Sequence, residues 1–424
     1  MLDRPIVTFL LQTDFYKFPM DLFEQIYFPD ANVTYAFKNR TTDTRLAEII
    51  DIGELREHFD ETMKLRHTVG GLQWLAGTFQ YDQLMFPIPY ILSLRDFCLP
   101  QYLLEKTDNG QFRLEFSGPG ATHWEIPALM IINTLLNRAR MKGMTRSEIE
   151  GIYSSGKLKL ARKIRKIKNY RELALIKGYQ PLFFSDFGTR RCFAPEWQDY
   201  DVEMLKEKLP AEFRGTSNCY LAKKHEIMAM GTNAHQPQMI AIGLAREKGE
   251  DVRQAMFNYC LNWNKLFSAN ALQILLPDTM GSSFFFKNAP AELAKSRGVR
   301  GDSGDLYREG ERAIQFYQKY GENPTKKLYI PSDGLVLSLM LKLSIHFTDR
   351  ISVSHGWGSS LTNDMVDDPK FKPISSVIKP MSVNGIPLVK LSNNIAKAMG
   401  RPEDIQRCKE EFEYTDYTDE KCTY

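Results

Sequence analysis

Between residues 299 and 361 the apolar positions fall into two alternating spacings. Leu306, Ala313, Ile314, Phe316 and Tyr317 share one face of a helix predicted from Leu306 to Tyr320, and a second apolar helix is predicted from Leu335 to Phe347. Lys327-Leu-Tyr-Ile and Arg350-Ile-Ser-Val-Ser read instead as short strands. Each is closed by a polar turn, Pro331-Ser-Asp-Gly and His355-Gly-Trp-Gly-Ser-Ser. Strand, polar turn and helix in series predict βα units on a parallel sheet. Ligands in such folds sit at the carboxyl ends of the strands, where this chain places Asp, Ser and Gly.

The same form occurs earlier, in Pro181-Leu-Phe-Phe followed by Ser185-Asp-Phe-Gly-Thr-Arg-Arg. The first 125 residues mix β-leaning pieces, Val33-Thr-Tyr-Ala-Phe and Phe112-Arg-Leu-Glu-Phe-Ser, with a helix at Glu54 to Leu65. Ile126 to Lys142 is apolar on most faces and predicts a buried helix. Leu221 to Met230 reads as a helix joining two Gly-Thr turns. No segment repeats at a fixed period or is low in complexity.

Charge narrows the class. Against 52 acidic residues stand 55 basic ones in 424, which excludes a strongly basic nucleic-acid binder but leaves room for a local patch. Such a patch lies at Lys157–Lys168, where Leu160, Ile164 and Ile167 mark the apolar face of a basic amphipathic helix. It reads as a solvated face, with an RNA- or membrane-binding helix as the rival. The acidic stretch Glu410 to Glu420 reads as a mobile end. The six cysteines form no CxxC pair and suit reduced thiols. Met1-Leu-Asp-Arg-Pro lacks the basic and apolar regions of a signal peptide, and Ala128 to Leu136 is too short to span a bilayer. A soluble cytoplasmic enzyme is expected.

Five loops could carry chemistry. Gly356-Trp-Gly-Ser-Ser-Leu-Thr, with the hydroxyls of Ser359, Ser360 and Thr362, suits a phosphate or is an ordinary βα turn. Arg300-Gly-Asp-Ser-Gly-Asp305 could hold a divalent cation or ribose hydroxyls through Asp302 and Asp305, and either Asp302 or Ser303 could cap the next helix. Gly215-Thr-Ser-Asn and Gly231-Thr-Asn-Ala-His235 could bring hydroxyls and an imidazole together; a packed or capping histidine is the alternative. Phe187 beside Gly188-Thr-Arg-Arg could stack a planar aromatic acid whose carboxylate pairs with arginine, or be a core ring among surface arginines.

In their order along the chain these pieces resemble the nicotinate phosphoribosyltransferase family. The matching pieces are Thr13-Asp-Phe-Tyr-Lys-Phe-Pro-Met, Phe184-Ser-Asp-Phe-Gly-Thr-Arg-Arg, Gly215-Thr-Ser-Asn, Gly231-Thr-Asn-Ala-His, Pro277-Asp-Thr, Arg300-Gly-Asp-Ser-Gly-Asp, Ser332-Asp-Gly and Gly356-Trp-Gly-Ser-Ser-Leu-Thr-Asn. The resemblance implies an irregular α/β barrel of the quinolinate phosphoribosyltransferase kind over 131–364. It also implies an α+β domain from residues 1–130, with 365–424 packing near it.

It implies transfer of the ribosyl group of 5-phosphoribosyl 1-diphosphate (PRPP) to nicotinate in NAD salvage, coupled to ATP hydrolysis through a phosphohistidine. His235 would be that histidine and Asp278 its orienting partner. Tyr16, Phe187, Arg190, Ser217, Thr232 and Arg300 would bind nicotinate. Asp302, Asp305, Asp333, Gly334, Gly356, Gly358, Ser359 and Thr362 would face PRPP, with Mg²⁺ on Asp302 and Asp305. A homodimer is compatible with the resemblance, and Tyr16 could reach the site from the other domain or from a neighbouring subunit.

Three positions depart from the family pattern: Gln236 stands where Glu is usual, Cys192 where a third arginine is expected, and Ser359 where Thr is usual. Ser217 replaces the aspartate of the related nicotinamide-using enzymes; a hydroxyl can donate to nicotinate's carboxylate, which an aspartate would repel. Nicotinamide and quinolinate phosphoribosyltransferases are the near alternatives. A nucleic-acid-binding protein acting through 157–168 is the distant one.

Overall fold

The computed structural model describes residues 5–77, 79–80, 83–267 and 272–420. Met1 to Arg4, and Cys422 among the six cysteines, lie outside them. Among the described residues the cysteines are free, and no helix is long and apolar enough to cross a membrane.

Seven parallel strands form the frame of the site. Ile274–Leu275, Gly298–Gly301, Leu328–Pro331 and Ser352–Val353 make one sheet in that order; Phe213–Thr216, Phe184–Asp186 and His355–Trp357 make a second. The chain crosses between them at Ser354, whose amide donates to Tyr329 while the next amide, of His355, donates to Phe183. The expected parallel βα organisation is present. Among the described residues its strands lie in two hydrogen-bonded sheets, not in one closed ring.

The N- and C-terminal segments share a separate antiparallel sheet. Val33–Asn39 pairs with Ser376–Val383 from Val33 opposite Val383 to Asn39 opposite Ser376, and with Phe112–Ser117 on its other edge. Val33, Tyr35 and Phe37 alternate inward, as do Phe112, Leu114 and Phe116. The C-terminal segment is thus woven into the sheet, more intimately than packing near it. The helix Glu125–Met141 is buried almost all round, as its composition predicts. Its Asn133 and Asn137 donate to the carbonyls of Arg190 and Phe193, fixing the loop after Phe184–Asp186.

Two expectations are corrected. The predicted helix from Leu221 to Met230 ends at Lys224; Glu226 has φ of 51°, and the chain turns back so that Ala229 bridges Thr216. The acidic C-terminal stretch is docked. Glu411 pairs with Arg246, Asp416 with Arg308 and Arg312, and the Thr418 amide donates to Asn393. Three of the carboxylates in the stretch read as a mobile end, Glu411, Glu413 and Asp416, face arginines brought by tertiary structure.

Close packing gives opposite signs to two glycine substitutions. A Cβ on Gly310, in the helix Leu306–Lys319, would lie 2.2 Å from the buried Phe347 ring, whereas Gly151, exposed in Arg146–Lys177, has open space. Gly310→Ala should lose stability, because overpacking costs about 1–3 kcal/mol against a helix gain of about 1 kcal/mol. Gly151→Ala should gain up to about 1 kcal/mol. Denaturant midpoints of the two variants check both signs.

Candidate active site

The carboxyl ends of the parallel strands open on a cavity of about 480 Å³, within the range of small-molecule sites. Phe187, Ser217, Asp302, Ser332 and Asp333, and Gly358 with Ser359, each follow one of these strands and line it. Tyr16 lines it too, from the chain's own N-terminal segment. No partner subunit is needed to bring that ring to the cavity.

One end has an aromatic and cationic character. The Phe187 ring packs on Gly356, where a Cβ would sit 2.4 Å from it; this close approach is why glycine stands there. Behind it, the buried Asp186 carboxylate accepts from the Gly188 amide, Thr216 and Gln198, each at 2.7 Å. Burial pushes Asp186 up to about 6. Arg300 donates to the Asn233 carbonyl at 2.8 Å and pairs with Asp302 at 3.1 Å. Arg190 reaches the Tyr16 hydroxyl and Glu125, both at 3.4 Å. Thr232 also lines the cavity.

Ser217 is differently engaged than its position in the sequence suggests. Its hydroxyl donates to Asp14 at 2.7 Å, so its proton is directed at a buried carboxylate of the same chain. Burial raises the pKa of Asp14, and Arg190 opposes the shift. Asp14 lines the cavity and was not singled out beforehand, although it stands inside the Thr13-Asp-Phe-Tyr motif.

Deeper in, His235 begins the helix Gln236–Lys248 and is buried. Its Nε2 lies 2.8 Å from Asp278 Oδ1 and 3.7 Å from Asp302 Oδ2. Ser303 donates to Asp278 Oδ2 at 2.5 Å, and Lys390 lies 3.7 Å away. Burial and the Lys390 charge hold His235 down to about 4, so it is neutral near pH 7. Against the effect of burial, His235 and Lys390 keep the Asp278 carboxyl well below its ordinary range. An anionic Asp278 accepts the Nε2 proton and leaves the Nδ1 lone pair free. His235, Asp278 and Asp302 also offer ligand atoms within 4.8 Å of one another.

Gly334, Gly358, Ser359 and Ser360 also line the cavity, beside the Gly356 on which the Phe187 ring packs. The Ser359 hydroxyl is buried and has no partner among the described residues. Asp333 pairs with Lys397 at 2.5 Å.

Two predicted residues are placed elsewhere. Asp305 is exposed and accepts from the Tyr307 and Arg308 amides, so it caps a helix and does not line the cavity. Thr362 is fully buried and donates to the Gly188 carbonyl, packing where a Cβ on Gly188 would be. It supports the Phe187 loop from behind. Cys192, in place of a third arginine, is fully buried in the core beneath the antiparallel sheet and does not line the cavity.

Sequence reasoning missed a set of cations. Arg40, Lys379, Lys390 and Lys397 reach the cavity from the antiparallel-sheet side, joined by Arg191 and Arg297. Lys379 contacts the buried Glu125 at 3.1 Å, and burial lowers its pKa to about 7. A signal was available: Lys379 and Lys390 interrupt the apolar runs Ser376-Val-Ile-Lys-Pro-Met and Leu388-Val-Lys-Leu. Lysine is almost never fully buried without a partner.

Comparison with known proteins agrees with this geometry. The nicotinate phosphoribosyltransferase (NAPRTase) N-terminal domain matches residues 11–133, and the nicotinate phosphoribosyltransferase (NAPRTase) family matches residues 182–416. The nicotinate phosphoribosyltransferase of Porphyromonas gingivalis superposes with a TM-score of 0.82 at 25% identity, covering 96% of this chain and 100% of that one. That of Vibrio cholerae gives 0.83 at 25% identity over 97% and 95%. A putative one from Saccharomyces cerevisiae gives 0.78 at 26% identity over 98% and 100%. With two family domains matched in order and strand-end loops converging on one cavity, the chain belongs to the nicotinate phosphoribosyltransferase family, phosphoribosyl-transferring enzymes of NAD salvage.

Proposed function

We propose that this chain joins nicotinate to C1 of PRPP, releasing diphosphate, and couples the transfer to ATP through phosphorylation of His235. The observation that carries the proposal is the buried, neutral His235 held by Asp278 at the wall of the cavity shared by Tyr16, Phe187 and Arg300. The pyridine ring stacks between Tyr16 and Phe187, with its carboxylate toward Arg190, Arg300 and Thr232. Ser217 serves the nicotinate end through its bond to Asp14, and a carboxylate at position 217 would set two acids side by side. The 5′-phosphate lies in the turn of Gly358 and Ser359, whose unpartnered hydroxyl awaits an acceptor. Asp333 and Gly334 border the ribose.

The transferred C1 loses its bond to diphosphate as the bond to the pyridine nitrogen forms, through an oxocarbenium-like state. Positioning and charge therefore matter more than nucleophilic force. Lys390, Lys397 and Arg40 give the diphosphate and ATP phosphates their countercharge. Asp302 offers a hard oxygen ligand at the cavity wall, which suits Mg²⁺ carried on a diphosphate; the ion, when bound, screens phosphate charge. Asp305, engaged as a cap, is left out of that role. We read the chain as two units, residues 131–364 around the site and 1–130 with 365–424 beside it.

Formation of nicotinate mononucleotide from labelled nicotinate, PRPP and Mg²⁺, with and without ATP and beside a nicotinamide reaction, tests the whole reading. Product made faster with ATP, and none from nicotinamide, is the expected result; product from nicotinamide alone would sink it.

His235→Ala should abolish the ATP-dependent gain while leaving some ATP-independent transfer, and a wild-type response to ATP would remove His235 from that role. Because protonation blocks the imidazole and its pKa is lowered to about 4, labelling by γ-phosphate-labelled ATP should stay level as pH falls from 8 to 6. It should decline only as pH approaches 4. A histidine with its ordinary pKa would lose labelling already near 6.5. Ser217→Asp should cut kcat/KM for nicotinate by about 100-fold, since like-charge juxtaposition costs several kcal/mol. Paired nicotinate and nicotinamide kinetics measure it.

A further inference from the structure

The basic stretch 157–168 has a specific place in the fold. It runs along the helix Arg146–Lys177, with Leu160, Ile164 and Ile167 buried. From that helix two lysines lean onto the chain just after the strand His355–Trp357. Lys163 Nζ donates to the Ser360 carbonyl at 2.5 Å, lies 3.1 Å from Asp364 Oδ2 and sits 5.5 Å from the centre of the Trp357 ring. Lys159 bridges Asp364 and Asp367 at 2.8 and 2.6 Å. Ser360 is further tied by its hydroxyl, which accepts from Trp357 Nε1 at 2.7 Å and donates to the Leu335 carbonyl.

The same turn faces the cavity with Gly356, Gly358, Ser359 and Ser360, and Lys163 does not line that cavity. Its side chain is only 15% exposed. A largely buried ammonium on a backbone carbonyl makes a charge-assisted bond, roughly twice as strong as a neutral one. It holds one side of a turn whose glycines would otherwise leave it free to re-form in several conformations.

We infer that Lys163 is a positioning residue for PRPP: by fixing the Ser360 carbonyl from behind, it keeps the Gly358 and Ser359 turn in the shape that receives the 5′-phosphate. This rests on the reading of that turn as the phosphate site. The ammonium touches no substrate. Its effect is on how much of the time the turn is competent to bind, so it enters the apparent affinity for PRPP and not the chemistry at C1.

The test is steady-state kinetics of Lys163→Met, Lys163→Arg and Ser359→Asp, each with its thermal midpoint. Lys163→Met should raise KM for PRPP about tenfold, the loss of one charge-assisted hydrogen bond, with kcat and KM for nicotinate unchanged. Lys163→Arg, which keeps charge and donors, should recover most of the PRPP affinity. Ser359→Asp places a carboxylate in the turn itself and should raise KM for PRPP whether or not Lys163 matters. If Ser359→Asp raises that KM and Lys163→Met does not, the role of Lys163 is overturned while the phosphate site stands. If neither variant moves it, the phosphate site is overturned and the inference with it. A Lys163→Met protein with a lower thermal midpoint and both KM values intact would make Lys163 a merely structural group.

Discussion

The carboxylate of Glu125 has no exposed surface, and five groups from four parts of the chain converge on it. Lys17 lies at 2.5 Å, Gln236 donates at 2.6 Å, Lys379 lies at 3.1 Å, and Arg190 and Tyr16 each approach at 3.4 Å. Despite its burial, Lys17, Lys379 and Arg190 hold Glu125 far below the usual carboxylate range, so it is ionised. Removing one partner from such a group leaves an uncompensated buried charge and costs about 3–5 kcal/mol. Four of the segments that meet at the site are joined here. The N-terminal segment brings Tyr16 and Lys17, the Phe187 loop brings Arg190, the His235 helix brings Gln236, and the antiparallel sheet brings Lys379.

That arrangement accounts for glutamine at 236. Its carboxamide accepts from Lys17 at 2.9 Å while it donates to Glu125. A carboxylate could do the first and not the second; it would set a second acid against Glu125. The departure from the usual glutamate is thus met by the composition of this buried cluster. It leaves the imidazole and Asp278 in contact one residue away.

The site combines two kinds of surface. Parallel strand ends supply small polar groups and close turns, which suit directional recognition of a pyridine carboxylate, a ribose and a phosphate. The antiparallel sheet and the segment after it supply the buried lysines Lys379, Lys390 and Lys397. Substrates with this many phosphates need countercharge, but lysines placed on the strand-end loops themselves would meet solvent and be screened. Brought from a second layer, Lys379 and Lys390 are held in low dielectric, where burial lowers their pKa and their carboxylate partners oppose the shift.

Local sequence by itself determined the βα order, the buried helix Glu125–Met141 and the turns that carry Phe187, Ser217, Asp302 and Ser359. Helical and strand spacings and glycine-rich turns are properties of neighbouring residues, and they are legible without a fold. The His235 and Asp278 contact was legible only through family resemblance, since 43 residues separate the two. Tertiary structure alone decided the rest. Asp305 and Thr362 look like ligands in their motifs, yet one satisfies helix amides and the other a backbone carbonyl, because backbone groups nearby must be paired. Ser217 donates its hydrogen bond to Asp14, 203 residues away. Lys379, Lys390 and Lys163 acquire their places only when strands and helices far apart in the chain pack together. Charge and hydrogen-bonding capacity are written in the residue type, whereas the partner that uses them is set by which surfaces the fold buries against each other.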